Sequence, residues 1–172
     1  MCCLAKVQAA GCYVHVPFCM SKCRYCAFYS ATSRHEMAHW VDSVLCEAEQ
    51  LGPLFGSFDT LYLGGGTPSV LSDELLARLL DGLRRRLQIH DKAEVTIELN
   101  PGDVDLIRAR TMKTMGIVRA SVGVQSFDNA VLRFLGRRHD RVRAIAVLDD
   151  LRSAGFDNLG IDLICGIPDQ TQ

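Results

Sequence analysis

The sequence has no uninterrupted apolar run of about 20 residues, the length that a helix needs to cross a bilayer. Its first residues, MCCLAKVQAAG, also lack the apolar core of a signal peptide. The formal net charge is −1, so no basic field argues for binding to nucleic acid or to an anionic membrane. We therefore expect a cytoplasmic protein whose reduced cysteines act as metal ligands or buried thiols rather than as a disulfide framework.

No internal repeat or low-complexity linker divides the 172 residues, which suit one domain. Strands and helices alternate five times. The predicted strands are 12–18, 60–68, 94–101, 119–127 and 159–168. The predicted helices are 34–51, one capped by Ser72, one capped by Asp103 and ending near Gly116, 128–135, and 140–153 with Val142, Ile145, Leu148 and Leu151 on its apolar face. This order predicts an α/β fold with right-handed crossovers, a parallel sheet and strands apolar on both faces.

A doubly wound sheet and a (β/α) barrel both fit this alternation. A complete eight-unit barrel needs roughly 250 residues, so a barrel here would be smaller, partial or truncated.

Three of the eight cysteines, Cys19, Cys23 and Cys26, lie on one loop after the first strand. Zinc sites usually take four ligands, commonly as two pairs, and no second pair follows. Three thiolates on an iron–sulfur cubane leave one iron with an open position, where a small molecule can bind. The loop also follows a strand, where parallel α/β folds place their active sites. A structural zinc module remains an alternative. The other cysteines are scattered: Cys2, Cys3, Cys12, Cys46 and Cys165.

Six motifs occur in order: YVHVPFCMSKCRYC, LYLGGGTPS, TIELNP, GVQSF, LGRRH and IDLICGIPDQT. Together they resemble the radical S-adenosylmethionine (SAM) superfamily and, within it, the oxygen-independent coproporphyrinogen III oxidase family. The resemblance makes residues 1–12 an N-terminal extension and 13–172 a radical SAM core that is incomplete at its C-terminus. It implies a partial (β/α) barrel of six units, truncated here after about five. We expect the open edge of the last strand to make this chain poorly stable alone.

The resemblance implies a [4Fe-4S] cluster on Cys19, Cys23 and Cys26, whose open iron binds the methionine end of SAM. The reduced cluster would cleave SAM to a 5′-deoxyadenosyl radical. The positions that match SAM-binding residues, some of which contact a second SAM molecule in the oxidase, are Tyr13, Tyr25, Gly65, Gly66, Thr67, Glu98, Gln125, Arg137 and Asp162.

The residues themselves support parts of this assignment. Glycines let a ligand approach the backbone closely, and a carboxylate within an apolar strand, such as Glu98, needs a partner. Gln125 and Asp162 repeat that placement on the next two strands, as a barrel active site requires. Without the resemblance, Tyr13 and Tyr25 fit core aromatics equally well.

The remaining polar residues near the motifs are predicted to be structural or exposed. Arg138 is predicted to be solvated. His15 is predicted to be a hydrogen-bonded structural residue. The other histidines do not have the spacing of metal ligands and are predicted to be surface residues: His35, His39, His90 and His139.

The residue at position 28 distinguishes two branches of the family. The oxidase carries a further cysteine two residues after the third, and Phe28 stands there in this chain. This pattern resembles the haem-chaperone branch, whose members bind haem and deliver it to recipient proteins. The resemblance thus implies haem or porphyrin, a haem-recipient protein and an electron donor as partners. The oxidase activity, which converts propionates to vinyl groups, is the alternative.

Overall fold

The structure, a computed structural model, describes residues 10–168 and 170. Predictions for the N-terminal residues through Ala9, including Cys2 and Cys3, lie outside the described residues. The strands are β1 (Ala10–Val16), β2 (Phe58–Gly65), β3 (Ile89–Leu99), β4 (Arg119–Gln125) and β5 (Asn158–Leu163). The helices are α1 (Met37–Leu51), α2 (Asp73–Arg86), α3 (Leu106–Thr114), α4 (Asn129–Leu135) and α5 (Arg141–Ser153). Within the described residues, no helix is long and apolar enough to cross a membrane.

The five strands form one parallel sheet in the order β1-β2-β3-β4-β5. A doubly wound sheet would reverse its strand order at a switch point, and this sheet does not. Because successive right-handed crossovers all run in one direction, they place the helices on one side of the sheet. The predicted partial barrel is confirmed: the strands follow one another in chain order, and the sheet is not closed, because within the described residues β1 and β5 each pair with a single strand.

The apolar core lies between the sheet and the helices. Leu61, Leu63 and Ile97 on the strands are fully buried there, as are Leu76 and Leu80 of α2. The opposite face of the sheet is polar, and its side chains include Tyr62, Glu98, Ser121 and Asp162. The prediction that the strands are apolar on both faces is therefore wrong, because the helices of the described residues leave the inner face of this open sheet uncovered.

Helix α5 presents only part of its predicted face to the core, since Leu151 is buried and Leu148 packs against the core as predicted. Val142 and Ile145 are exposed, whereas Ala144, Val147 and Leu151 are buried. Both sets keep helical spacing, and α5 packs against the neighbouring α3. Periodicity alone could not choose between the two sets.

The capping predictions for α2 and α3 had different outcomes. Ser72 caps α2 by accepting a hydrogen bond from the Leu75 N–H (3.3 Å). Asp103 does not cap α3, because α3 begins at Leu106 and Asp105 accepts from the Arg108 N–H (2.8 Å). Asp103 lies in a 3₁₀ turn instead, where its nearly buried carboxylate pairs with Arg138.

The carboxylate of Asp103 joins three loops at the carboxyl ends of the strands. It accepts a hydrogen bond from the Ser69 hydroxyl (3.0 Å) and pairs with the guanidinium of Arg138. Only 7% of the Asp103 side chain and 33% of the Arg138 side chain are exposed. Arg138 is therefore not simply solvated, as predicted, and it links the loop after α4 to the loop after β3.

Replacing Arg138 with alanine is expected to lower the free energy of unfolding by about 1–2 kcal/mol, because it leaves the Asp103 carboxylate buried with one hydrogen bond fewer. Urea denaturation at neutral pH measures this. Arg110→Ala, at an exposed position of α3, is the matched control and should change stability by less than about 0.5 kcal/mol. Equal stability of the two variants would contradict the role given to the ion pair.

Candidate functional site

A cavity of about 390 Å³ opens at the carboxyl ends of the strands. Polar side chains collect there because the loops after β1, β2, β3 and β4 converge at this end of a parallel sheet. All of the sequence-predicted site residues line it except Tyr13. They are Cys19, Cys23, Tyr25, Cys26, Gly65, Gly66, Thr67, Glu98, Gln125, Arg137 and Asp162.

The cysteine loop is held in place by backbone hydrogen bonds. At its base, the Cys19 N–H donates to the Ala31 carbonyl (2.9 Å), and in its middle the Arg24 N–H donates to the Leu135 carbonyl at the end of α4 (3.3 Å). Cys19 is buried, whereas Cys23 and Cys26 are half-buried at the cavity wall. The loop, which itself forms neither a helix nor a strand, therefore presents three thiols to one cavity.

The three thiols do not form a compact single-ion site. Among residues 10–168 and 170, no three His, Cys, Asp or Glu side chains lie close enough to hold one metal ion. Ligands of a tetrahedral zinc ion must lie within about 4 Å of one another, since each lies about 2.3 Å from the metal. A cubane takes each thiolate on a different iron atom and does not require such close approach.

The glycine-rich turn after β2 packs directly on the start of the cysteine loop. The Gly66 N–H donates to the Val16 carbonyl and the Thr67 N–H to the Phe18 carbonyl, both at 2.8 Å. Gly65 has a φ of +106°, and a Cβ there would lie 2.5 Å from the ring of His15. The Thr67 hydroxyl also lies 3.4 Å from the Cys19 sulfur. At position 65, glycine is thus required both by the backbone conformation and by the close packing of His15.

The carboxylate of Glu98 is fixed at both oxygens. Oε1 accepts a hydrogen bond from the Tyr62 hydroxyl (2.9 Å), and Oε2 accepts one from the Gly65 N–H (3.0 Å). These bonds supply the partners that a carboxylate in an apolar strand needs. Glu98 therefore faces the cavity in one orientation.

Tyr13 lies beside this arrangement rather than in the cavity lining. Its ring stacks on that of Tyr62, with centroids 5.9 Å apart, and its hydroxyl bonds to Nδ1 of His15 (3.2 Å). Nε2 of His15 donates to the Tyr29 carbonyl (2.9 Å), which ties the end of the cysteine loop to β1. The prediction that His15 is a hydrogen-bonded structural histidine is confirmed.

The pKa of Tyr62 is raised to about 12, mainly by burial and then by the hydrogen bond to Glu98. An unfolded tyrosine ionises near pH 10, so neutral Tyr62 stabilises the fold fully below about pH 10 and loses this effect as pH rises through about 12. Tyr62→Phe should lower stability at pH 8 by about 1 kcal/mol and flatten the decline between about pH 10 and 12. Urea denaturation across this range checks both effects.

The exposed Tyr29 supplies the control for this titration. Tyr29→Phe should keep the wild-type slope, because 80% of that side chain is exposed. If the free energy of unfolding of Tyr62→Phe declined between about pH 10 and 12 as steeply as that of wild type, ionisation of the Tyr62 phenol would not be the cause of the decline.

Arg137 connects β4 to the cysteine loop. Its Nη1 lies 3.4 Å from the Cys23 sulfur and 3.3 Å from the Tyr25 hydroxyl, and its Nη2 donates to the Gly123 carbonyl (2.6 Å). Burial raises the pKa of Tyr25 although the nearby guanidinium acts in the opposite direction. Nε of Arg137 is buried and has no partner among the described residues. The guanidinium thus places positive charge beside a thiol at the cavity wall.

The prediction that His139 is a surface residue is wrong. Its side chain is nearly buried, and Nε2 donates to the Val124 carbonyl (3.0 Å) at the end of β4. The only signal in the sequence was its place directly after the two arginines of LGRRH, since it follows no helical or strand period. Asp162 on β5 accepts from the Ser121 hydroxyl (3.4 Å) and reaches the cavity as predicted.

The chain is similar to known proteins both in sequence and in structure. A model of the radical SAM superfamily matches residues 13–172. The heme chaperone HemW of Lactococcus lactis is 38% identical over 165 residues, which cover 92% of this chain and 42% of the relative. The oxygen-independent coproporphyrinogen III oxidase of Escherichia coli is 35% identical over 163 residues, covering 92% and 36%.

A solved structure gives the same result. Coproporphyrinogen III oxidase (HemN) from Escherichia coli, described as a radical SAM enzyme, superposes with a TM-score of 0.88 at 34% identity. The match covers 95% of this chain and 39% of the solved one. The chain therefore spans less than half of the length of these relatives.

Proposed function

Because the chain belongs to the radical SAM superfamily, we propose that Cys19, Cys23 and Cys26 hold a [4Fe-4S] cluster beside a cavity that binds SAM. One observation carries the proposal. The three thiols line the same cavity as the glycine-rich turn and the polar side chains at the ends of β3, β4 and β5.

The residues at the cavity fit these groups chemically. Thiolates are the usual ligands of iron–sulfur clusters, and the Thr67 hydroxyl and the Arg137 guanidinium are hydrogen-bond donors beside two of the three sulfurs. The cavity volume of about 390 Å³ suits a nucleoside-sized ligand. The carboxylates of Glu98 and Asp162 can face the positive ammonium and sulfonium groups of SAM.

When bound and reduced, such a cluster supplies the electron that cleaves SAM. The protein's own residues bind and orient the nucleotide. Glu98 cannot rotate freely because Tyr62 and Gly65 hold both its oxygens, and the Arg137 guanidinium is held against Gly123. Tyr25, at the cavity wall, offers a flat face for an adenine ring, and Tyr13 supports the site through Tyr62.

We further propose that the protein acts in haem or porphyrin metabolism and most closely fits a haem chaperone. Phe28 supports this choice: it lines the cavity and is 66% exposed, at the position where the oxidase branch carries a cysteine. Haem, a recipient protein and an electron donor are the partners of this role, and a reducing compartment such as the cytoplasm suits its thiols.

The oxidase remains the second candidate. The TM-score of 0.88 to the Escherichia coli oxidase and an identity of 35% to its sequence support it.

Anaerobic reconstitution with iron and sulfide tests the first step of the proposal. We expect about four irons per chain and a spectrum of the reduced centre that changes when SAM is added. Bound zinc without acid-labile sulfide would overturn the proposal in favour of a structural zinc module.

Two assays on the protein expressed from its complete coding sequence separate the two roles. Stoichiometric haem binding without formation of protoporphyrinogen supports the chaperone. Formation of protoporphyrinogen together with 5′-deoxyadenosine supports the oxidase.

A further inference from the structure

The LGRRH motif places three consecutive side chains on three different parts of the site. Arg137 contacts the cysteine loop and Arg138 contacts Asp103, whereas His139 contacts the end of β4. We propose that His139 is a positioning residue, which holds the side chain of Gln125 in the cavity by fixing the backbone turn at Val124. This inference rests on the proposed SAM site.

The backbone at Gln125 is strained. Its φ of +67° makes it the only non-glycine residue with positive φ among the described residues. The Ser126 N–H donates to the Val124 carbonyl (2.9 Å), which closes a γ-turn around Gln125. Such a conformation is unfavourable for a residue with a Cβ and persists only where the surroundings enforce it. The strained residue also lines the cavity.

His139 supplies part of that enforcement. Its Nε2 donates to the same Val124 carbonyl that closes the γ-turn. Because a carbonyl can only accept, Nε2 carries the proton. The carbonyl of Gln125 is bound on its other side by the Ile164 N–H (3.0 Å). The peptide groups on both sides of the Gln125 Cα are therefore fixed by groups outside β4.

The stability of the fold does not by itself account for a histidine at this position. The side chain is buried, yet Nδ1 has no partner among the described residues, and a buried acceptor without a hydrogen bond is destabilising. Leucine would fill similar space without that penalty. What histidine adds is the Nε2–H donor, and burial together with Arg137 lowers its pKa, so the ring stays neutral.

The Gln125 amide lies beside Gly123, where the Arg137 guanidinium also lies. A Cβ at Gly123 would lie 2.9 Å from Nε2 of Gln125 and 3.4 Å from Nη2 of Arg137. The amide and the guanidinium therefore both lie beside Gly123, and both residues line the cavity. Without the bond from His139, the Val124 carbonyl can turn away and carry the amide out of this position.

The test uses the cluster-loaded protein and measures its affinity for SAM by equilibrium dialysis. His139→Leu should keep its iron content but bind SAM about tenfold more weakly, the usual scale for loss of an outer supporting hydrogen bond. His139→Gln, whose amide nitrogen can reach the position of Nε2, should restore affinity to within about threefold. His90→Leu makes the same substitution at an exposed position of β3 and should bind like wild type.

A double-mutant cycle separates positioning from a general loss of structure. If His139 acts through Gln125, then His139→Leu should weaken SAM binding no further in a Gln125→Ala background. Equal affinity of His139→Leu and wild type, or additive losses in the cycle, would overturn the inference. Should the leucine variant lose its cluster, His139→Asn, whose amide cannot reach the Nε2 position, takes its place in both comparisons. If wild type with a full cluster does not bind SAM, the proposed function fails instead.

Discussion

Replacing any one of Cys19, Cys23 and Cys26 with serine is expected to abolish the proposed four-iron centre. The three thiols lie on one loop and line one cavity, so each would supply one ligand of the proposed cluster, and no other described cysteine lines that cavity. A serine hydroxyl stays protonated at neutral pH and is a much poorer ligand for iron than a thiolate. Iron and acid-labile sulfide contents after anaerobic reconstitution should fall close to zero, and the SAM-dependent spectral change should disappear.

The other described cysteines provide the controls. Cys46 is exposed on α1, and Cys12 is half-buried on β1, where burial raises the pKa of its thiol. Cys165 is exposed after β5. Serine variants at these three positions should keep the iron content of wild type. A full cluster in Cys23→Ser, or its loss in Cys46→Ser, would show that the ligand set has been assigned wrongly.

The parallel sheet and the place of the site could be predicted because both depend on local patterns. Alternating strands and helices require crossovers of one hand, and loops after parallel strands must meet at one edge of the sheet. Glu98, Gln125 and Asp162 stand at the ends of three successive strands, so their convergence follows from topology alone. The cysteine spacing likewise lies within a single loop, where no tertiary knowledge is needed.

The errors concern contacts between distant segments. Asp103 was predicted as a helix cap because an acidic residue before an apolar run is the usual signal. Its real partners, Ser69 and Arg138, lie on loops that only the folded sheet brings near. The wrong prediction for His139 has the same cause. Its contact with Val124 joins the end of β4 to the residues that follow α4.

The polarity of the inner face was missed for a related reason. Alternation within β3 and β4 does not say how many faces are covered by helices. That depends on the direction of every crossover in the sheet, which became known only with the strand order.

Gly66→Ala is expected to damage the fold and the site together. A Cβ at this position would lie 2.7 Å from the carbonyl oxygens of Val16 and Phe18. Both are backbone atoms that accept hydrogen bonds from the glycine-rich turn, so neither can move without breaking the link between that turn and the cysteine loop. Overpacking of this kind costs about 1–3 kcal/mol, and Cys19 follows Phe18 directly. We expect lower stability in urea denaturation and less than half of the wild-type iron content.

Gly102→Ala separates this steric effect from the general effect of removing a glycine. The nearest atom to a Cβ there is Oδ1 of Asn100 at 3.7 Å, an ordinary contact, and the residue lies in the turn after β3 near the same edge of the sheet. Removing a glycine also restricts the unfolded chain, so this variant should be as stable as wild type or slightly more stable. If Gly66→Ala matched it in stability and iron content, then close packing of the glycine-rich turn against the end of β1 would not be what positions the cysteine loop.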